Sequence, residues 1–411
     1  MNKTLTHSCR WGRWAAALMG TCWWVSALAA DGLCDGLVQD KMAHPMTALA
    51  KPKLGKAVTD PEFGTRIRRI SKAGSGHQIV PAYSTIPAWN ADESLLVLYH
   101  RGNGVPHGSG HHLYDGRTYA YLRPLAIDPP DIEQFFWHAT DARLMLYVDA
   151  KNRLIQLDVT TNTKTVLKSF SCGGRVSGGG DVMYTSWDSD VIGLSCQGKG
   201  FSYRISTGSE GARVPVSGGL SPTASASGQW LFVPMGQQAQ VRDLSMGLLR
   251  TIDVRAGEHA SLGRLPDGTD THNSVQFDGG TVGTLVVSDM TGAAAPRVVV
   301  GPKTGYPYPP TGTHVSAVAL QRPGWVAVSV VGATSGKGVL DQELLLADTA
   351  AGGKVCRVGH HRSWADHGQH DYWAEPHAVI SPSGTRVLFG SDWGNGNSVD
   401  TYVVELPSYR R

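Results

Sequence analysis

Four of the chain's sixteen histidines, His138, His259, His314 and His377, stand just ahead of segments that read as short β-strands. Imidazole can take up a proton near neutral pH or ligate a metal, so histidines that meet in space are candidates for catalysis. Glu375 joins the last of them in Tyr372-Trp-Ala-Glu-Pro-His377. A plainer reading is open: Glu375 and His377 bond to each other, and the clusters His107, His111, His112 and His360, His361, His367, His370 are loop histidines. Convergence of residues this far apart in sequence requires a fold that gathers strand starts at one place.

The segment Ile380 to Asp392 reads as two strands joined by Ser-Pro-Ser-Gly, where Pro382 presets φ and Gly384 supplies the positive φ of the turn. A matching unit, Ile86-Pro-Ala-Trp-Asn-Ala-Asp-Glu-Ser-Leu-Leu-Val-Leu-Tyr99, lies near the front. Recurrence at both ends marks a repeat architecture. Strand-rich units fall at roughly 85–126, 134–169, 172–215, 219–254, 258–300, 312–358 and 374–406, with cores such as Leu144-Met-Leu-Tyr-Val148 and Trp325-Val-Ala-Val-Ser329. The expected fold is all-β, a seven-bladed β-propeller over residues 61–411. The last unit lacks an outer strand, which the N-terminal run 65–70 can supply to close the ring. Inner strands of such a ring line one channel, where the four histidines would meet.

Residues 1–30 carry Lys3, Arg10 and Arg13, no acid, and an apolar run ending Ala27-Leu-Ala29, the pattern of a cleaved secretory signal. Residues 31–60 read as an arm. The expected location is periplasmic or secreted, with no integral span after cleavage. Without those three basic residues the chain has 34 basic and 34 acidic side chains, which gives nucleic acid no field to follow. Cys34, Cys172, Cys196 and Cys356 remain, and an exported chain permits disulfides. Cys172–Cys196 within one unit is the favoured bridge, leaving Cys34–Cys356 to pin the arm. The chain is expected to be a monomer.

The repeats resemble those of TolB-like (PD40/WD40-like) propellers. The segments Gly257-Glu-His-Ala-Ser-Leu-Gly263, Thr313-His-Val-Ser316 and Tyr372-Trp-Ala-Glu-Pro-His377 resemble the seven-bladed oligogalacturonate lyases and, more loosely, the propeller-type ulvan lyases. In that family a histidine is the base, and a histidine on the next blade, with a glutamine and two histidines ahead of the last blade, holds a divalent metal. The resemblance puts His259 at the base, His314 at the first metal ligand and His377 at the last. Tyr372 stands in the glutamine's place and Glu375 in that of one histidine. Two imidazoles and a carboxylate still suit Mn²⁺, Zn²⁺ or Ca²⁺, and the Tyr372 phenol offers acid–base chemistry.

The activity implied is β-elimination on a 4-linked uronate of an acidic polysaccharide or oligosaccharide. The carboxylate beside the acidic C5 proton must be neutralised before a base can take that proton. His259 is the candidate base and His138 its helper, with Arg204 and Arg322 as carboxylate clamps; Tyr184 and Tyr203 are weaker candidates. Trp364 and Trp373 are the tryptophans expected at the channel mouth, while Trp137, Trp187, Trp325 and Trp393 are expected mostly as filling between blades. The alternative is a non-catalytic TolB-like propeller that binds glycan or a protein partner in the periplasm. No Gly-x-Ser-x-Gly elbow supports a serine hydrolase.

Overall fold

The structure, a computed structural model, describes residues 32–176, 185–217, 220–235, 238–252, 259–276, 284–292, 294–306 and 314–410. The signal-like segment and Tyr184 lie outside the described residues. From Leu33 onward the chain forms one compact unit. It is a seven-bladed β-propeller. Among the described residues, six sheets have four strands each and the seventh has five.

Burial falls from the axis outward, and the sequence shows why. Inner and middle strands such as Phe135–Trp137, Val191–Cys196 and Arg386–Ser391 are buried on both faces, because neighbouring blades pack face to face over them. An outermost strand such as Thr163–Ser169 is largely exposed, and its Lys and Thr residues suit water.

The seventh blade runs outward from Val379–Ile380 through Arg386–Ser391 and Asp400–Glu405. The N-terminal strand Arg66–Arg69 then pairs with Asp400–Glu405, placing Ile67 opposite Val404. A fifth strand, Ala57–Thr59, adds outside it, so the end of the segment read as an arm is part of the sheet. The rest of the arm crosses to blade 6. Cys34–Cys356 joins it to the outer strand there, and Val38 pairs with Arg357. Cys172–Cys196 is the second disulfide.

The two matching turns meet at the seam between blades 7 and 1. Gly384 has φ 75°, and a Cβ there would come within 2.5 Å of Leu33, so both conformation and space demand glycine. Glu93 holds the corresponding left-handed position at φ 58°. Its carboxylate accepts a hydrogen bond from Ser383 N at 2.6 Å and pairs with Arg386 at 2.5 Å. The Arg386 guanidinium lies 4.6 Å from the Trp89 ring centroid, fully buried.

Two strand starts differ from the sequence reading. Blade 1 begins at Gln78–Val80, and the stretch from Ile86 is a buried loop that returns to pair through Trp89 and Leu96. Blade 2 begins at Phe135–Trp137, so His138 follows its inner strand instead of preceding it. The apolar triplet Phe-Phe-Trp is the inner strand, and the polar residue ahead of it is Gln134.

Candidate functional site

His259, His314 and His377 precede or open the inner strands of blades 5, 6 and 7, and two serines fix their common height. In His259-Ala-Ser261 and His314-Val-Ser316 the serine two residues on faces the same way as the histidine. Ser261 Oγ accepts from Ala317 N at 3.0 Å, and Ser316 Oγ accepts from Ile380 N at 3.3 Å. Each inner strand is thereby keyed to the next, and the imidazoles come together. His259 and His314 stack with ring centroids 4.2 Å apart and 17° between planes, and His314 and His377 are also 4.2 Å apart.

His314 Nδ1 lies 3.4 Å from Glu375 Oε2, and His377 Nε2 lies 3.8 Å from the same oxygen. Both separations exceed a good hydrogen bond. His377 Nδ1–H donates to the Glu375 carbonyl oxygen at 3.0 Å, so in the neutral ring the Nε2 lone pair faces the carboxylate. Neither His314 nitrogen, nor His377 Nε2, makes a hydrogen bond among the described residues. Burial, followed by the neighbouring imidazoles, pushes both groups down: His314 well below the ordinary histidine value and His377 to about 3, the latter despite its bond to the Glu375 carbonyl. Both imidazoles are therefore neutral at physiological pH, the form that can ligate a metal. Three buried donor atoms, from His314, Glu375 and His377, lie within 4.8 Å of one another.

His377 adopts φ 42°, uncommon for a residue with a Cβ. The Nδ1 bond and the backbone bond from Gly390 N to Pro376 O, 2.8 Å, hold it there. Strain of this kind gathers at sites where orientation matters. Tyr83 closes the inner side, its ring 5.2 Å from His314 and 5.1 Å from His377. Tyr372 presents its ring edge to His377 at 4.9 Å and donates its hydroxyl proton to Glu133 Oε1 at 3.2 Å. It stands beside the cluster, partly exposed, and its hydroxyl is turned towards blade 2.

The remaining sequence candidates lie elsewhere. His138 closes its own turn, accepting at Nδ1 from Asp141 N at 3.1 Å. That turn borders a 580 Å³ cavity at the opposite end of the inner strands, lined by Ala139, Thr140, Trp187, Asp188, Arg264 and Gln321 among others. Arg322 sits in the equivalent turn of blade 6, also away from the histidines. Arg204, partly exposed, pairs with Asp190 at 3.6 Å at the end of the otherwise buried strand Lys199–Arg204 of blade 3, where Tyr203 next to it lies in the core. The physical reason is common to all three: their positions follow from strand boundaries and charge partners that the local sequence leaves open. Trp137 is core, Trp187, Trp325 and Trp393 pack against it, Trp364 is half-buried, and Trp373 lies under Arg101.

Sequence reading missed Tyr83, Gln78 and Arg101. For Gln78 and Gln134 the available signal was a polar residue directly ahead of a buried apolar pair, as in Gln78-Ile-Val and Gln134-Phe-Phe. A second cluster, Asp60, Glu62 and His360, also gathers three donors. There Arg362 Nη2 already lies 3.3 Å from Asp60 and 3.8 Å from Glu62. Burial would raise the Asp60 carboxyl, but bonds and charge from His360 and Arg362 outweigh it and hold it well below the usual range. That cluster ties the arm to blade 6 and carries its own cation. A 460 Å³ cavity between the arm and blade 1, walled by Tyr114, Tyr119 and Tyr121, holds no comparable set of donors.

No family model matches the sequence, and no curated protein matches it. Among solved structures, the fold is similar to an oligogalacturonate lyase from Vibrio parahaemolyticus, with a TM-score of 0.57 and 14% identity over 86% of this chain and 96% of that one. It is also similar to an oligogalacturonate lyase in complex with manganese, with a TM-score of 0.59 and 14% identity over 90% of this chain and 99% of that one. At this identity the likeness is one of fold. Among the described residues, no helix is long and apolar enough to cross a membrane.

Proposed function

We propose that the chain is an exported lyase that cleaves uronate-containing glycans by metal-assisted β-elimination, with His314, Glu375 and His377 holding the ion. One observation carries the reading: two imidazole nitrogens and a carboxylate oxygen, all buried, face a common space, with the oxygen 3.4 and 3.8 Å from the two nitrogens. Donors about 2.1 Å from one ion stand about 3.4 Å apart in a tetrahedral site. The donor set fits Mn²⁺ or Zn²⁺ best, because imidazole suits borderline ions better than it suits Ca²⁺. Once bound, such an ion supplies the positive charge that neutralises the substrate carboxylate and acidifies C5.

The chain's own residues divide the rest. His259 is half-buried and lies against His314 on the open side of the cluster, where it can take the C5 proton as base. The electron pair released forms the C4–C5 double bond, and the C4–O4 bond breaks. The return of a proton to O4 falls to Tyr372, whose ring meets His377 and whose hydroxyl would have to turn from Glu133 towards the cluster. Tyr83 and the buried inner strands keep water from the metal side. His138, Arg204 and Arg322 have no part in these steps.

The test is ultraviolet detection of the unsaturated uronate product over pectate, alginate and ulvan, with and without chelator. Chelator-sensitive product on any of the three supports the reading. Folded protein that yields no product on all three overturns it in favour of a binding propeller.

A further inference from the structure

We infer that Arg101, held by Trp373 and Gln78, forms an anion subsite on blade 1 for a second carboxylate of an acidic saccharide. Arg101 ends the strand Leu95–Arg101, directly opposite Gln78 in register. Its guanidinium lies 4.3 Å from the Trp373 ring centroid, and Nη1 donates to Gln78 Oε1 at 3.0 Å. The amide of Gln78 is oriented in turn: its Nε2 donates to His370 Nδ1 at 3.3 Å, while His370 Nε2–H donates to Gly396 O at 2.9 Å. The relay Gly396–His370–Gln78–Arg101 is satisfied at every link in one sense only, and it fixes the plane of the guanidinium.

Among the described residues no carboxylate anchors that order, unlike that of several other arginines of the fold. Arg68, Arg69, Arg357, Arg362 and Arg386 each pair with a carboxylate. Arg101 is exposed and has no carboxylate within pairing distance among the described residues. Its Nε and Nη2 edge is left for a ligand, and a fixed planar fork matches a carboxylate in bidentate fashion. Trp373 is covered by Arg101 and stacks on Tyr99, centroids 6.4 Å apart at 24°, so it supports the charge and does not serve as a sugar platform. It adjoins Tyr372, whose ring meets His377 at 4.9 Å, so the subsite opens at the same mouth as the histidine cluster.

The choice of a uronate as ligand rests on the proposed function; the subsite itself does not need turnover. The probe is the trimer of galacturonic acid, titrated calorimetrically in chelator so that no elimination intervenes, beside its methyl ester. Arg101→Gln is expected to weaken the acid trimer by about tenfold or more and leave the ester unchanged. Arg101→Lys should restore little, because a lysine cannot form the planar fork. Equal affinity of wild type and Arg101→Gln for the acid trimer would overturn the inference, as would equal losses for acid and ester or no binding by wild type. If Arg101→Gln weakens binding while no unsaturated product ever forms, the subsite stands and the lyase reading falls.

Discussion

Substituting Glu375 by glutamine should abolish metal-dependent stabilisation, and its size can be worked out beforehand. An ion that binds only the folded chain at about one hundred times its Kd stabilises it by about 2.7 kcal/mol. Unfolding entropy near 2.1 cal/mol/K per residue, over the roughly 380 residues from Leu33 onward, comes to about 0.8 kcal/mol/K. Saturating Mn²⁺ or Zn²⁺ should therefore raise the wild-type Tm by about 3–4 °C over chelator-treated protein. Glu375→Gln keeps the volume but removes the anionic oxygen that stands 3.4 Å from His314 and 3.8 Å from His377, and its shift should fall below about 1 °C. Glu62→Gln, in the cluster that already holds Arg362, should keep the full shift. Differential scanning fluorimetry with Mn²⁺, Zn²⁺ and Ca²⁺ reads all three proteins. No shift in wild type with any ion, or an undiminished shift in Glu375→Gln, would refute the reasoning.

His259→Gln should lower turnover by about 10²- to 10⁴-fold while leaving the metal-induced shift intact, since it removes a base and no ligand; loss of the shift would make His259 a ligand instead. Arg386→Met leaves Glu93 buried without its partner and should cost about 3–5 kcal/mol in denaturant unfolding, with much of it recovered by adding Glu93→Leu. A cost under about 1 kcal/mol would show the pair contributes little. His272 is fully buried against Phe232, and burial lowers it to about 4. The unfolded chain takes up this proton below about pH 6.5 and the folded chain only near pH 4, so stability is complete above that window and erodes through it by about 3 kcal/mol. His272→Leu should narrow the difference between unfolding free energies at about pH 7 and about pH 4 by that amount; an unchanged difference would place the acid sensitivity elsewhere.

The ring was legible because its turns are local: Ser-Pro-Ser-Gly and its partner Asn-Ala-Asp-Glu-Ser declare themselves within five residues. The cluster of His314, Glu375 and His377 was legible for a related reason. Two of its members share one hexapeptide, and the third opens a strand in a segment of similar pattern. His138 misled because Phe135, Phe136 and Trp137 on one side of it are as apolar as Leu144 to Val148 on the other, so the inner strand could be drawn on either side. Arg204 and Arg322 misled because an arginine's partner is a tertiary fact. Arg101 went unnoticed for the converse reason, since its supports Gln78 and Trp373 lie 23 residues before it and most of the chain after it.

The outer half of the seventh sheet is made of residues that precede the other six blades in the chain, and it docks on residues that follow them. Arg66–Arg69 has only the short strand Ala57–Thr59 beside it until Asp400–Glu405 arrives, and Cys34 meets Cys356 across 322 positions. Synthesis and folding therefore run out of phase: Arg66–Arg69 must wait for its inner neighbour until the residues up to Glu405 have emerged. A nascent chain stopped anywhere short of Glu405 would keep a raw edge, vulnerable to proteolysis and to pairing with a stranger.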